Sequence, residues 1–199
     1  RHFPLTEIHP HALAASAALM ASGFSNLQIA DGLSTFVSDS KTNPLRTNVF
    51  DVRGVTVIVD YAHNPAAYAA LAEMARALLP GQLVGIVTAP GDRRDSDLVQ
   101  IGEVCGERFD ELVVYESQSR GREVGGAVDL IIEGIEKVVG PSDTTHREIE
   151  VDKAIRLGLS LCRAGDVLVF ACGSSLKTFI DALRVDDPES ADRIEAQTV

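Results

Sequence analysis

The chain has 199 residues, 45% of them hydrophobic, enough apolar material for one substantial core and a small appendage. Its 29 acidic against 18 basic residues leave a formal net charge of −11, which argues against binding a nucleic-acid backbone, where clustered Lys and Arg are needed. No apolar run approaches the roughly 20 residues of a membrane span and no signal-peptide pattern is present. Three cysteines without CxxC spacing (Cys105, Cys162 and Cys172) read as reduced core thiols of a cytoplasmic protein.

The first residues, from Arg1, read like the middle of a longer sequence, so a fragment is expected. Residues 11–37 carry two helical patterns split at Gly23. The first is ALAASAALMAS; the second is NLQIADGLSTF, with Leu27, Ile29, Leu33 and Phe36 as its apolar positions and Ser25 or Asn26 as its cap. The polar stretch from Ser38 to Asn48 has no periodicity and contains Asn43-Pro44, as a boundary linker does. Strand and helix then alternate. NVFDV and VTVIVD form a hairpin around Arg53-Gly54, and a helix follows from Pro65 to Leu79. Strands are expected at 83–89, 111–115 and 167–172, with a weak one at 146–150. Helices are expected at 95–108, about 126–139, 152–163 and after Gly173. The pattern predicts an α/β fold: a mainly parallel, Rossmann-like sheet with helices on both faces, preceded by a small helical segment. The expected organisation is a helical segment at 1–40, a hinge linker at 41–47, an α/β domain at 48–185 and an acidic, frayed tail at 186–199. No internal repeat is visible.

The densest chemistry lies in VTVIVDYAHNP, residues 55–65. A strand apolar on both faces ends in Asp60, Tyr61, His63 and Asn64, with Pro65 opening a helix that Asn64 can cap. Open α/β sheets bind ligands at this end of their strands. A carboxylate there suits a ribose diol and an imidazole can stack on a base; a simple capped turn would use the same residues. The next strand end leads into PGDRRDSD, where Asp92, Arg93 and Arg94 follow a Pro-Gly turn. The one after leads through Glu116 into ESQSRGRE, with Arg120 and Arg122 flanking Gly121. Arginine forks suit phosphate or carboxylate, whereas pairing with Asp92, Asp95 or Asp97 is the plain alternative. Gly173-Ser174-Ser175 can meet an anion through helix amides or allow close packing. Neither a GxxxxGK[ST] loop nor a GxGxxG turn occurs, so a nucleotide would have to be shared with another domain.

The stretch NPLRTNVFDVRGVTVIVDYAHNPAAYAAL resembles the start of the carboxy-terminal domain of the Mur ligase superfamily of ATP-dependent amide ligases, and HPHALAASAAL with IADGLSTF resembles the last helices of its central ATPase domain. PGDRRD together with the RGR loop is most similar to the branch that makes cyanophycin, a polymer of aspartate and arginine. The resemblance spans roughly residues 9–184. Two departures stand out: Leu45 replaces the usual glycine before the hinge arginine, and His9-Pro10-His11-Ala12 replaces an Asn-rich helix opening.

The resemblance implies that Asp60 holds the ribose of ATP, that His63 and Asn64 border the adenine, and that Arg46 reaches the phosphates from the hinge. It implies Asp92, Arg93 and Arg94 near the interdomain cleft, and Arg120 and Arg122 on the amino-acid or polymer side. The implied partners are ATP, arginine, an aspartyl chain and the upstream central domain, with a homo-oligomer as an open option. Mg²⁺ is implied as a cofactor with ligands outside this chain, which by itself would be inactive and act as a lid. Two alternatives stay open: another Mur-type ligase (for a peptidoglycan precursor or folylpolyglutamate), or a non-catalytic nucleotide-binding module.

Overall fold

The centre of the molecule is β2 (Val55–Asp60), whose Val57, Ile58 and Val59 are fully buried. The computed structural model describes residues 10–35, 39–171 and 175–198. They divide into two compact units, 1–37 and 38–199.

The smaller unit holds α1 (Pro10–Ala21) and α2 (Asn26–Thr35). Gly23 separates them in the left-handed region (φ +93°), and Phe24 N donates to Leu19 O to close the first helix. Ser25 is the cap of α2. Its hydroxyl accepts from Gln28 N at 3.4 Å while Gln28 Oε1 accepts from Ser25 N at 2.9 Å, a reciprocal capping box. Of the expected apolar face, Ile29 is buried, Leu27 and Leu33 are exposed, and Phe36 lies outside the described residues.

The larger unit is a six-stranded sheet in the order β1-β2-β6-β3-β4-β5. Besides β2 it contains β1 (Asn48–Val52), β3 (Leu83–Val87), β4 (Glu111–Val114), β5 (Thr145–Arg147) and β6 (Val167–Ala171). β1 pairs antiparallel to β2 and every other ladder is parallel. The hairpin turns on Arg53 (φ +53°) and Gly54 (φ +82°), the two left-handed residues that a two-residue turn requires. Helices α3 (Pro65–Arg76), α4 (Asp95–Gly106) and α5 (Gly126–Val139) cover one face. Helices α6 (Val151–Leu161), α7 (Leu176–Asp186) and α8 (Pro188–Thr198) cover the other. Because β6 is inserted between β2 and β3, and its incoming α6 lies on the face opposite α3, the carboxyl ends of these three strands bound a crevice of the kind that open α/β sheets use for ligands.

The closest helix packing is between α4 and α5. A Cβ on Gly102 would overlap Ile131 O, and one on Gly134 would overlap Val99 O, so the two helices touch backbone to backbone. Three sequence expectations shift. Helix α3 stops at Arg76, short of Leu79, because Leu79 is left-handed (φ +54°) ahead of Pro80. Strand β5 sits slightly earlier than expected and is only three residues long. The tail is not frayed: residues 188–198 form α8, with Ala191 and Ile194 buried against the sheet and Arg193 donating to Asp51 O at 3.0 Å. Acidic composition had masked two apolar residues at helical spacing.

No helix among the described residues is long and apolar enough to cross a membrane. Replacing Ile194 by Ala is expected to lower unfolding free energy by about 2–4 kcal/mol, the usual cost of emptying a buried aliphatic site; a urea-denaturation midpoint unchanged from wild type would mean that α8 does not belong to the cooperative unit.

Candidate functional site

Two buried tyrosines brace the crevice. Tyr68, on α3, donates its hydroxyl to Thr88 O at 2.6 Å and accepts from Thr88 N at 2.9 Å, tying the helix to the end of β3. Tyr115, just after β4, donates to Ala171 O at 2.9 Å, tying β4 to the end of β6. Both hydroxyls supply bonds that the ladder no longer makes where the strands diverge.

At the end of β2, Asp60 Oδ2 accepts from Thr47 N at 2.8 Å and from Thr47 Oγ1 at 3.1 Å. Burial pushes the Asp60 carboxyl above its usual range, against the opposing pull of the Thr47 donors and the Arg46 charge. Arg46 lies over the Tyr61 ring, 5.6 Å from its centre, and His63 meets the same ring edge-on at 5.5 Å. The Nδ1 of His63 is 2.9 Å from Tyr61 O, and since a carbonyl can only accept, Nδ1 is the donor of this bond. Asn64 caps α3, its Oδ1 accepting from Ala67 N at 2.9 Å.

The linker is tightly folded. Leu45 (φ +60°) and Thr47 (φ +53°) both sit in the left-handed region, which is unfavourable for side chains of these types. Leu45 N donates to Asn48 Oδ1 at 2.7 Å and Leu45 O accepts from Tyr61 N at 3.0 Å. The linker residues before β1 therefore take part in building the β2 end of the crevice.

On the far side, the loops after β3 and β4 interlock. Gly91 N donates to Gln118 O at 2.9 Å, and a Cβ on Gly91 would overlap Ser119 O. Arg120 pairs with Asp92 at 3.1 Å, and Arg94 with Asp97 at 2.9 Å. Arg122 donates to Gly91 O, Arg93 O and Asp95 Oδ1. The Arg93 guanidinium has no hydrogen-bonded or ion-paired partner among the described residues. A small cleft between the two sides is lined by Tyr61, His63, Thr88, Pro90, Gln118 and Arg120. Thr88 Oγ1 is buried there without a hydrogen-bond partner. Glu116 Oε2 accepts from Gly125 N at 3.0 Å, while its Oε1 is buried and unpaired.

Asp60, His63, Asp92 and Arg120 thus share one rim, with Arg46 joining it through the Tyr61 ring. The sequence reading missed Thr47 and Tyr61 as partners of Asp60 and Arg46, and Thr88 and Gln118 as cleft residues. Thr47 follows the hinge arginine directly, and Thr88 is the lone hydroxyl in the apolar run LVGIVTA; those were the available signals. Of the three cysteines, Cys105 is a buried free thiol, and Cys162 is half-buried and pushed up by burial to about 12. Cys172, Gly173 and Ser174 lie outside the described residues. Ser175 caps α7 by accepting from Thr178 N. Among the described residues, no group of three or more His, Cys, Asp or Glu side chains comes together to hold a metal ion.

A family model described as Mur ligase, glutamate ligase domain, matches residues 45–174. The chain belongs to the Mur ligase family. Among Mur-type relatives, the cyanophycin synthetase of a Nostoc species is 39% identical over 160 residues, which are 80% of this chain and 18% of that protein. The UDP-N-acetylmuramoyl-L-alanyl-D-glutamate--2,6-diaminopimelate ligase of Gloeobacter violaceus is 33% identical over 161 residues, 80% of this chain and 31% of that one. Among solved structures, E. coli FolC in complex with ADP superposes with a TM-score of 0.61 at 25% identity, covering 91% of this chain and 40% of FolC. The chain therefore spans less than a third of the length of either curated relative.

An acid whose pKa is raised on folding keeps its proton in the folded state at a pH where the unfolded chain has lost it. Asp60 accordingly costs stability at neutral pH, and the cost fades as pH falls through its folded pKa. Asp60→Asn is expected to match or exceed the wild-type thermal midpoint at pH 7, with the difference closing as the carboxylate range is approached. A midpoint depressed at pH 7 and recovering in acid would overturn the burial assignment.

Proposed function

We propose that this chain is the carboxy-terminal domain of an ATP-dependent, ADP-forming amide ligase of the cytoplasm that adds arginine to the β-carboxylates of an aspartyl chain, as a cyanophycin synthetase does. The observation that carries the reading is the shared rim: DYAHNP on one side of the crevice, the interlocked PGDRR and RGR loops on the other. Identity of 39% to the Nostoc enzyme supports the substrate pair, and the ADP bound to FolC supports the nucleotide.

In this reading Asp60 takes the ribose, His63 and Asn64 border the base, and Arg46 moves from the Tyr61 ring to the phosphates. Asp92, Arg93, Arg94, Arg120 and Arg122 form the substrate side. The carboxylate oxygen attacks the γ-phosphorus and ADP leaves. The amine nitrogen then attacks the acyl carbon, phosphate leaves, and the nitrogen gives up a proton. Little covalent work falls to the protein in such a sequence; position and charge neutralisation supply the acceleration. In the same reading Mg²⁺ and the phosphate loop are supplied by the remainder of a longer chain, since no GxxxxGK[ST] loop occurs in this sequence.

The test is ADP release by the full-length parent protein, with aspartate, arginine and an aspartyl primer supplied separately and together. Release that needs arginine and primer together is the expected result, with Asp60→Asn and His63→Ala each raising KM for ATP by about tenfold or more. Turnover with diaminopimelate or glutamate instead would replace the substrate and favour the second reading, which the 33% identity to the Gloeobacter ligase supports. No amino-acid-dependent release would leave a nucleotide-binding module.

A further inference from the structure

We propose that Arg122 is a positioning residue: it locks the Gly91–Asp95 loop in the shape that presents Arg93 to a substrate oxyanion, and itself touches no substrate. The inference rests on the ligase reading above and sharpens the role of one residue within it.

The Arg122 guanidinium is already committed. Its Nε donates to Gly91 O at 2.9 Å, and one terminal nitrogen donates both to Arg93 O at 2.9 Å and to Asp95 Oδ1 at 2.7 Å. These acceptors lie at the start, middle and end of the loop, so a single side chain spans all of it. Two are main-chain carbonyls, which would be left without these donors if Arg122 turned to a ligand. The stem is held as well: a Cβ on Gly126 would come within 3.2 Å of Arg122 Cγ and Cδ, and the side chain is only 23% exposed. Main-chain contacts reinforce the clamp, through Gly91 N donating to Gln118 O and the close approach of Gly91 to Ser119 O.

The neighbouring cations are matched differently. Arg120 is paired with Asp92, and Arg94 with Asp97. The guanidinium held out by the clamped loop without a hydrogen-bonded or ion-paired partner among the described residues is that of Arg93, which Asp97 attracts only through space. Its fork fits a carboxylate or a phosphate equally. A lysine at position 122 could keep the charge but could not span the same acceptors.

The experiment uses the full-length parent enzyme and the variants Arg122→Gln, Arg122→Lys, Arg93→Gln and the Arg93→Gln/Arg122→Gln pair. Hydrogen–deuterium exchange of the peptide covering residues 90–95 should speed up in Arg122→Gln and stay at the wild-type rate in Arg93→Gln. KM is measured separately for ATP, arginine and the aspartyl primer. One of the three should rise by about tenfold in both single variants, with the double variant no worse than about twofold beyond Arg93→Gln, since both act through one contact. The substrate whose KM moves identifies the oxyanion, and Arg122→Lys should recover only part of the loss. Unchanged exchange in Arg122→Gln would overturn the clamp. So would multiplicative losses in the double variant, which mean that Arg122 contacts substrate independently, or a fall in kcat with every KM unmoved, which means a purely structural role. A wild-type enzyme that releases no ADP with any amino acid overturns the ligase reading instead; the exchange measurement then still decides the clamp.

Discussion

The sheet is covered on both faces, and this constraint organises everything else. Strands β3 and β6 are buried along their whole length, and β2 along most of it. No polar side chain can stand on such a surface without a partner. Polar chemistry is therefore displaced to the strand ends, where loops reach solvent and where ladder bonds run out. The tyrosine hydroxyls at Thr88 and Ala171 stabilise that frontier. Beyond it stand the groups capable of recognition.

The two sides of the crevice are built by different means. On the β2 side, a half-buried carboxylate, a cation over an aromatic ring and two left-handed linker residues are assembled around Asp60 and Tyr61. The Asp60 carboxylate is held by a residue of the linker itself, so the linker and the end of β2 cannot rearrange independently. On the β3–β4 side, arginines are matched by aspartates and backbone carbonyls across two loops. One side joins a linker to a strand; the other joins two loops to each other.

Much of this was legible in the sequence. Continuous apolar runs announced the parallel strands, Asn64-Pro65 announced the start of α3, and Arg53-Gly54 announced the hairpin, because these signals are local and each has a single physical meaning. DYAHNP, PGDRRD and RGR lie at the strand ends that the alternation of strand and helix predicts, although each also allowed a plain structural reading. Partnerships were not legible. Nothing in spacing says that Thr47 reaches Asp60, or that Arg122 reaches back across 31 residues to Gly91. Those are long-range contacts fixed by topology. The tail failed differently: its net charge spoke louder than Ala191 and Ile194, although two apolar residues three apart are enough to dock a turn of helix on an existing core.

The glycine contact between α4 and α5 has a bearing beyond packing. Gly102 and Gly134 set the separation of the helices by main-chain atoms, with no side chain between them whose size could change it. Helix α4 begins at Asp95 and α5 at Gly126, directly after the two loops that form the β3–β4 side of the rim. The gauge of that rim is therefore written in backbone. Side chains on the two loops that take no part in the Arg122 clamp can be exchanged, and the surface they offer retuned, while the separation of α4 and α5 stays constant for as long as those two positions remain glycine.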